Sequence, residues 1–175
     1  MNFSSKLVEN AVNSLSTLPG IGKRTALRLV LYLLKKNKEN TYRIADSIKT
    51  LIDNINYCNT CHNISEEISC GICNNERRNR NTICVIRDFR DLVSIENTKE
   101  YNGLYHILGG LISPMEGVNP SDLNIDSLIN RIKQNNIKEV ILALSTTMDG
   151  ETTNFYIYKK LLEFNIKITT ISRGV

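Results

Sequence analysis

Four of the five cysteines fall in two CxxC pairs, Cys58-Asn59-Thr60-Cys61 and Cys70-Gly71-Ile72-Cys73, with eight residues between them. Four thiolates at this spacing suit a tetrahedral Zn²⁺ ion. Each pair offers two ligands from one tight turn, and Gly71 is expected to help the second turn fold back. Four ligands close the coordination shell, so the site predicted is structural, not catalytic. His62 stands next to Cys61, but beside a shell that is already full. A redox dithiol would need only one CxxC. The short segment has too little core to hold itself together, so zinc should contribute directly to its folding. Cys84 sits in the apolar run Ile83-Cys84-Val85-Ile86 and reads as a core residue.

A second set of residues points at phosphate. Leu18-Pro19-Gly20-Ile21-Gly22 interrupts two helical patterns and is followed by Lys23, Arg24 and Arg28. Pro19 lacks an amide donor, and the two glycines are free to take positive φ. A helix opening at Lys23 would leave its first backbone amides unpaired at the positive end of its dipole. That makes an anion site, with the three cations adding charge. Contacts of this kind grip phosphates without reading bases, so binding should be sequence-independent and salt-sensitive. Gly20, Gly22, Lys23, Arg24 and Arg28 resemble a helix-hairpin-helix DNA-binding element.

The elements around these residues follow from periodicity. Leu7, Val8, Ala11, Val12 and Leu15 recur at helical spacing, with Ser4 or Ser5 as cap. A second helix is predicted from about Lys23 to Lys36. From Ala26 to Leu34 its only charge is Arg28, which predicts burial on more than one side and self-association through this region. A third, amphipathic helix carries Ile44, Ile48, Leu51, Ile52 and Ile55. After the cysteines, Glu76 to Arg80 reads as a solvated cationic connector. Strands are predicted at 82–87, 104–108, 139–144 and 166–172, and helices at 88–96, 126–134 and 152–164. This alternation indicates a mostly parallel sheet. Its ligand-facing edge, at the strand C-termini, collects Arg87, Asp88, the 109–117 loop and the 146–151 segment. His106, in mid-strand, reads as a packed core residue.

Composition bounds the reading. The 175 residues allow one domain with attachments or two small ones. The net charge of +4 is unevenly spread. Residues 1–50 hold nine Lys/Arg against three Asp/Glu, whereas residues 51–150 hold nine against thirteen. The basic first third suggests a polyanion partner. The longest apolar stretch in that third, Leu29 to Leu34, is far short of a membrane span, and no apolar signal core opens the chain. A cytoplasmic protein without membrane contact is expected, and in a reducing compartment paired cysteines bind metal more readily than they form disulfides.

Taken in order, the Gly-Ile-Gly hairpin, the four cysteines and the α/β unit resemble the RecR family of bacterial recombination mediators. The resemblance rests on Leu18–Gly22 with Ala26 and Arg28, and on the four cysteines. It rests also on Ile83–Ile86 with Asp88, Arg90 and Asp91, on Tyr105–Gly110 with Ser113, Pro114 and Gly117, on Asp149–Thr153, and on Ser172-Arg173-Gly174. It implies a multi-part α+β fold: a helix-hairpin-helix DNA-binding region (1–56), a four-cysteine zinc knuckle (57–74) and a C-terminal α/β Toprim domain (81–175) with a mostly parallel sheet.

The resemblance also implies a function. The expected protein is a non-catalytic, nucleoid-associated repair protein that acts with RecO, and in some bacteria RecF, to help load RecA onto single-stranded or gapped DNA. It would bind one structural Zn²⁺ and form a homo-oligomeric ring or clamp. Two departures stand out. Toprim domains usually end their first strand in Glu, and here that position is Arg87. The family also continues beyond the position of Val175 with a Gly-rich acidic segment and a last strand that help join subunits. Asp88, Asp149 and Glu151 then read as an acidic contact for a basic partner rather than a catalytic Mg²⁺ site. The alternative is a Mg²⁺-dependent nuclease or primase-like enzyme. The cysteines are expected to act as a clip that fixes the hairpin relative to the α/β domain.

Overall fold

The computed structural model describes residues 3–172; Arg173 and Gly174, part of the resemblance, lie outside the described residues. The chain divides into two compact units, residues 1–54 and 55–175.

The first unit is helical. Helix α1 (Lys6–Ser16) starts at Ser5, whose hydroxyl accepts from the Val8 amide. Helix α2 (Lys23–Lys35) follows the hairpin, and α3 (Lys38–Asn54) completes the unit. Val12 of α1 meets Ala26 and Val30 of α2, with Val8, Leu15, Ile21 and Leu27 packed around them. The prediction that α2 is buried on more than one side is not met within one chain. Only Ala26 and Val30 are buried, while Leu31, Tyr32 and Leu34 stay exposed. Helix α3 buries no residue at all, and Ile44, Ile48, Leu51 and Ile52 face outward.

The second unit opens with a two-stranded antiparallel ribbon, β1 (Asn56–Tyr57) with β2 (Ile64–Ser65), and one helical turn, α4 (Gly71–Asn74). Four parallel strands follow: β3 (Asn79–Ile86), β4 (Gly103–Ile107), β5 (Glu139–Leu142) and β6 (Lys167–Thr170), in the order β4-β3-β5-β6. Ile83 pairs with Leu104 on one side and with Val140 on the other. The predicted mostly parallel sheet is therefore parallel throughout its described strands.

Alternation along β3 sends side chains to two cores. Ile83 and Val85 join Leu104, Val140 and Leu142 under α6 (Ile125–Gln134) and α7 (Met148–Leu161). Cys84 and Ile86 join Tyr105, Ile107 and Leu92 of α5 (Phe89–Thr98). Helices thus cover both faces. The strand order reverses between β3 and β5, which makes a switch point outside their C-terminal ends.

Several boundaries differ from expectation for local reasons. Helix α7 begins four residues before the predicted Thr152, because the Thr147 hydroxyl caps it by accepting from the Gly150 amide. Gly150 fits tightly there: a Cβ would overlap the Ser145 carbonyl. Strand β3 begins at Asn79, inside the region read as connector.

Candidate metal centre and nucleic-acid interface

The four cysteine sulfurs converge. All lie within 4.8 Å of one another, all four residues are buried, and none is in a disulfide. Tetrahedral zinc with bonds near 2.3 Å sets its sulfurs about 3.8 Å apart. Cys61 Sγ and Cys70 Sγ stand at 3.5 Å, so the cluster fits such an ion. The Cys61 thiol is pushed well up by its contact with Cys70, and the same contact pulls Cys70 down. A proton shared between neighbouring sulfurs is what a divalent cation would displace.

Each CxxC is shaped by its backbone. The first turn closes with the His62 amide donating to Cys58 O at 2.9 Å and the Cys58 amide donating to Asn63 O at 2.7 Å. The residue with left-handed backbone is His62, at φ 60°. Gly71 has no positive φ and no crowding, so the predicted need for glycine there is not met. Instead Cys70 caps the single turn of α4, and its amide points at Cys58 Sγ at 3.3 Å.

The knuckle is seated on the α/β domain. The Ile107 amide of edge strand β4 donates to Cys61 O at 2.9 Å, extending the sheet edge by one bond. Ile72 packs against the cysteines and against both cores of the domain. Arg80 Nη2 donates to Cys73 O at 3.1 Å. His62 is no ligand: its Nε2 bonds Ser127 Oγ at 2.8 Å, and its ring meets His106 edge-on at 5.2 Å. His106 is fully buried, and that burial pushes its pKa down to about 3. The neutral ring then donates from Nε2 to Asn124 O at 2.8 Å. His62 is therefore a docking residue. Its partner Ser127 lies 65 positions on, so spacing gave no signal for it.

The hairpin in the first unit has the geometry of an anion site. Gly20 adopts φ 79°, where a β-carbon is disfavoured, while Gly22 is extended and serves as N-cap of α2. Positive φ thus falls on one of the two glycines. No side chain caps α2, and its first turn carries no acidic residue. The first helical bond runs from the Ala26 amide to Gly22 O. The amides of residues 23–25 precede it, beside Lys23 and Arg24 and one turn from Arg28.

At the C-terminal edge of the sheet, Arg87 and Asp88 follow β3, and Asp149 and Glu151 sit in the first turn of α7. Asp88 is bracketed by Arg90 and Arg87, with Asp88 Oδ2 at 2.5 and 3.2 Å. Among the described residues the cysteines are the group whose ligand atoms converge on a metal-sized space, and these carboxylates form no second one. In the connector Glu76, Arg77, Asn79 and Arg80 are exposed as expected, and Arg78 is the exception. Arg78 makes a forked, largely buried pair with Glu96 at 3.0 and 2.5 Å. No helix among the described residues is long and apolar enough to cross a membrane.

Comparison with known proteins agrees with this layout. The family described as "RecR, helix-hairpin-helix" matches residues 8–52, and that described as "Toprim domain" matches residues 81–172. The chain is 57% identical to the recombination protein RecR of Flavobacterium johnsoniae over 175 residues, covering all of this chain and 85% of that protein. It is 54% identical to RecR of Amoebophilus asiaticus, covering all of this chain and 88% of the relative. It is 52% identical to RecR of Bacteroides thetaiotaomicron, covering 99% and 84%. With the hairpin, the four-cysteine centre and the parallel α/β domain in this order, the chain belongs to the RecR family of recombination proteins.

Proposed function

We propose that this protein binds DNA without sequence preference through Gly20, Gly22, Lys23, Arg24 and Arg28, and that it works non-catalytically in recombinational repair. In this reading it acts with RecO, and with RecF where present, to help load RecA onto single-stranded or gapped DNA in the cytoplasm. The division of labour follows residues 1–56 for DNA, 57–74 for one structural Zn²⁺ on Cys58, Cys61, Cys70 and Cys73, and 81–175 for the Toprim domain. Asp88 is already held by two arginines. Asp88, Asp149 and Glu151 together are the acidic residues proposed to meet a basic partner.

The observation that carries this reading is the uncapped start of α2 beside the positive-φ Gly20, with cations and no carboxylate in its first turn. The test is DNA affinity against salt for the unaltered protein and for Lys23→Ala/Arg24→Ala. Loss of two phosphate contacts should weaken binding at low salt and reduce the logarithmic salt slope by about 2. An unchanged slope would sink the hairpin assignment.

The second part of the proposal is homo-oligomerisation. It rests on the outward apolar row of α3, where Ile44, Ile48, Leu51 and Ile52 are half or more exposed.

A further inference from the structure

The hairpin reading leaves part of α2 unused. Arg24, Leu27, Arg28, Leu31, Tyr32 and Lys35 line one open groove of about 410 Å³. They recur at three- and four-residue steps and so form a single stripe. At 1.5 Å per residue the stripe runs about 16 Å from Arg24 to Lys35. Three of the six are cations and none is a carboxylate. Tyr32 is 54% exposed, and Lys36 Nζ lies 5.1 Å from its ring centroid, bringing a fourth cation to the same end.

Core packing accounts for only one edge of this stripe: α2 meets α1 through Ala26 and Val30 with Leu27 packed against them, while Leu31 and Tyr32 stay exposed. Contact with a second copy is disfavoured by charge. A two-fold interface sets a patch against itself, and would place Arg24, Arg28 and Lys35 opposite the same cations. The complementary partner is a polyanion that also offers flat apolar faces. Duplex DNA offers its phosphates but keeps its base faces stacked inside. Single-stranded DNA offers both.

We propose that this groove is a subsite for single-stranded DNA, in which an unpaired base stacks on Tyr32 while Arg24, Arg28 and Lys35 hold the flanking phosphates. The proposal rests on the hairpin reading and continues its phosphate track along the helix. It supplies what the hairpin lacks, a contact that separates unpaired from paired strands.

The chain contains no tryptophan, so Tyr32→Trp places a single indole in this chain, at the groove. Titration with oligothymidine should quench that fluorescence over the same concentration range in which fluorescence anisotropy of labelled oligothymidine reports binding. A duplex of equal length should bind with little quenching. Tyr32→Ala should lose about 5- to 50-fold in single-strand affinity, with duplex affinity unchanged, and Tyr32→Phe should retain it. Bound oligothymidine without quenching overturns the proposal. So does an equal loss for both DNA forms, or a change of sedimentation mass in Tyr32→Ala, which would assign the groove to a second copy. Lys23→Ala, outside the groove, separates the two readings. If it weakens both DNA forms while Tyr32→Ala weakens neither, the groove fails and the hairpin stands. If Tyr32→Ala behaves as expected while Lys23→Ala changes nothing, the hairpin fails and the groove stands.

Discussion

Arg87 Nε lies 3.2 Å from Asp88 Oδ2 at the C-terminal end of β3, and Arg90 closes on the same oxygen from the other side. The two residues stand beside the switch point of the sheet, where a ligand-binding crevice is expected. There a carboxylate free of cations would be available to a metal. Here it is engaged twice over. Asp88 Oδ1 also accepts from the Arg90 amide and caps α5, while Asp91 accepts from the Asp88 amide in return. Asp88 is thereby tied into the start of a helix.

That engagement has a pH signature. The Arg90 guanidinium, with Arg87 adding to it, holds the Asp88 carboxyl down at about 2 from its ordinary 3.8. A depressed folded value contributes stability above 3.8 that is lost as pH falls toward 2. The group is partly exposed, so screening keeps the effect small. In urea melts, Asp88→Asn should lose less stability than the unaltered protein across that window. At neutral pH Asp88→Ala should cost about 1 kcal/mol through the lost cap. Parallel pH profiles for the unaltered protein and Asp88→Asn would show that the arginines do not hold the carboxylate.

Arg78 supports a second prediction. Its guanidinium forks onto Glu96, bonds Gly103 O and lies over the Tyr105 ring, while the Tyr105 hydroxyl donates to Glu96 at 2.6 Å. Burial pushes Glu96 up, but the bonds from Arg78 and Tyr105 outweigh it and hold the carboxyl below its usual range. Glu96→Ala strands a largely buried cation and should destabilise the α/β domain by roughly 2–3 kcal/mol, with Tyr105→Phe costing about 1 kcal/mol. Denaturant melts of the two variants measure both. A Glu96→Ala midpoint equal to that of the unaltered protein would place the pair among ornamental surface contacts.

These residues mark where sequence reading reaches its limit. The cysteines and Gly20 were legible because each acts on neighbours a few positions away. Arg78 looked solvated because its partners stand at Glu96 and Tyr105, and only the parallel crossover brings them together. His62 looked like a spare ligand because its partner Ser127 arrives with α6. The apolar run of α2 was visible, but not that α3 would leave it half covered. Thr147 went unread as a cap because Asp149 and Gly150 resemble a loop until a helix forms over them.

The metal centre makes a third prediction. The core of the knuckle is the cysteines themselves plus Ile72, so altering one thiolate removes a ligand and disturbs one of the few side chains that pack there. Cys58→Ser should fall from one zinc per chain toward none by elemental analysis and lower the melting temperature. Strong chelators should act on the unaltered protein in the same direction. DNA binding should fall only as far as stability does. Zinc loss with an unchanged melt would remove the structural role.

The last prediction concerns α3. Tyr42, Ile44, Ile48, Leu51 and Ile52 are all exposed, and the helix buries none of its residues. The isoleucines and Leu51 recur at steps of three and four, so they form one row on one face. An apolar row of this length facing water on a charged helix marks an interaction surface. A two-fold contact through it would bring like apolar rows together without opposing cations, unlike the basic groove of α2. Ile48→Asp/Ile52→Asp should therefore lower the sedimentation mass while leaving the helical circular dichroism and the zinc content unchanged. Ile48 and Ile52 are 59% and 70% exposed, so the fold should survive the charges. If the variant keeps the mass of the unaltered protein, assembly does not run through α3.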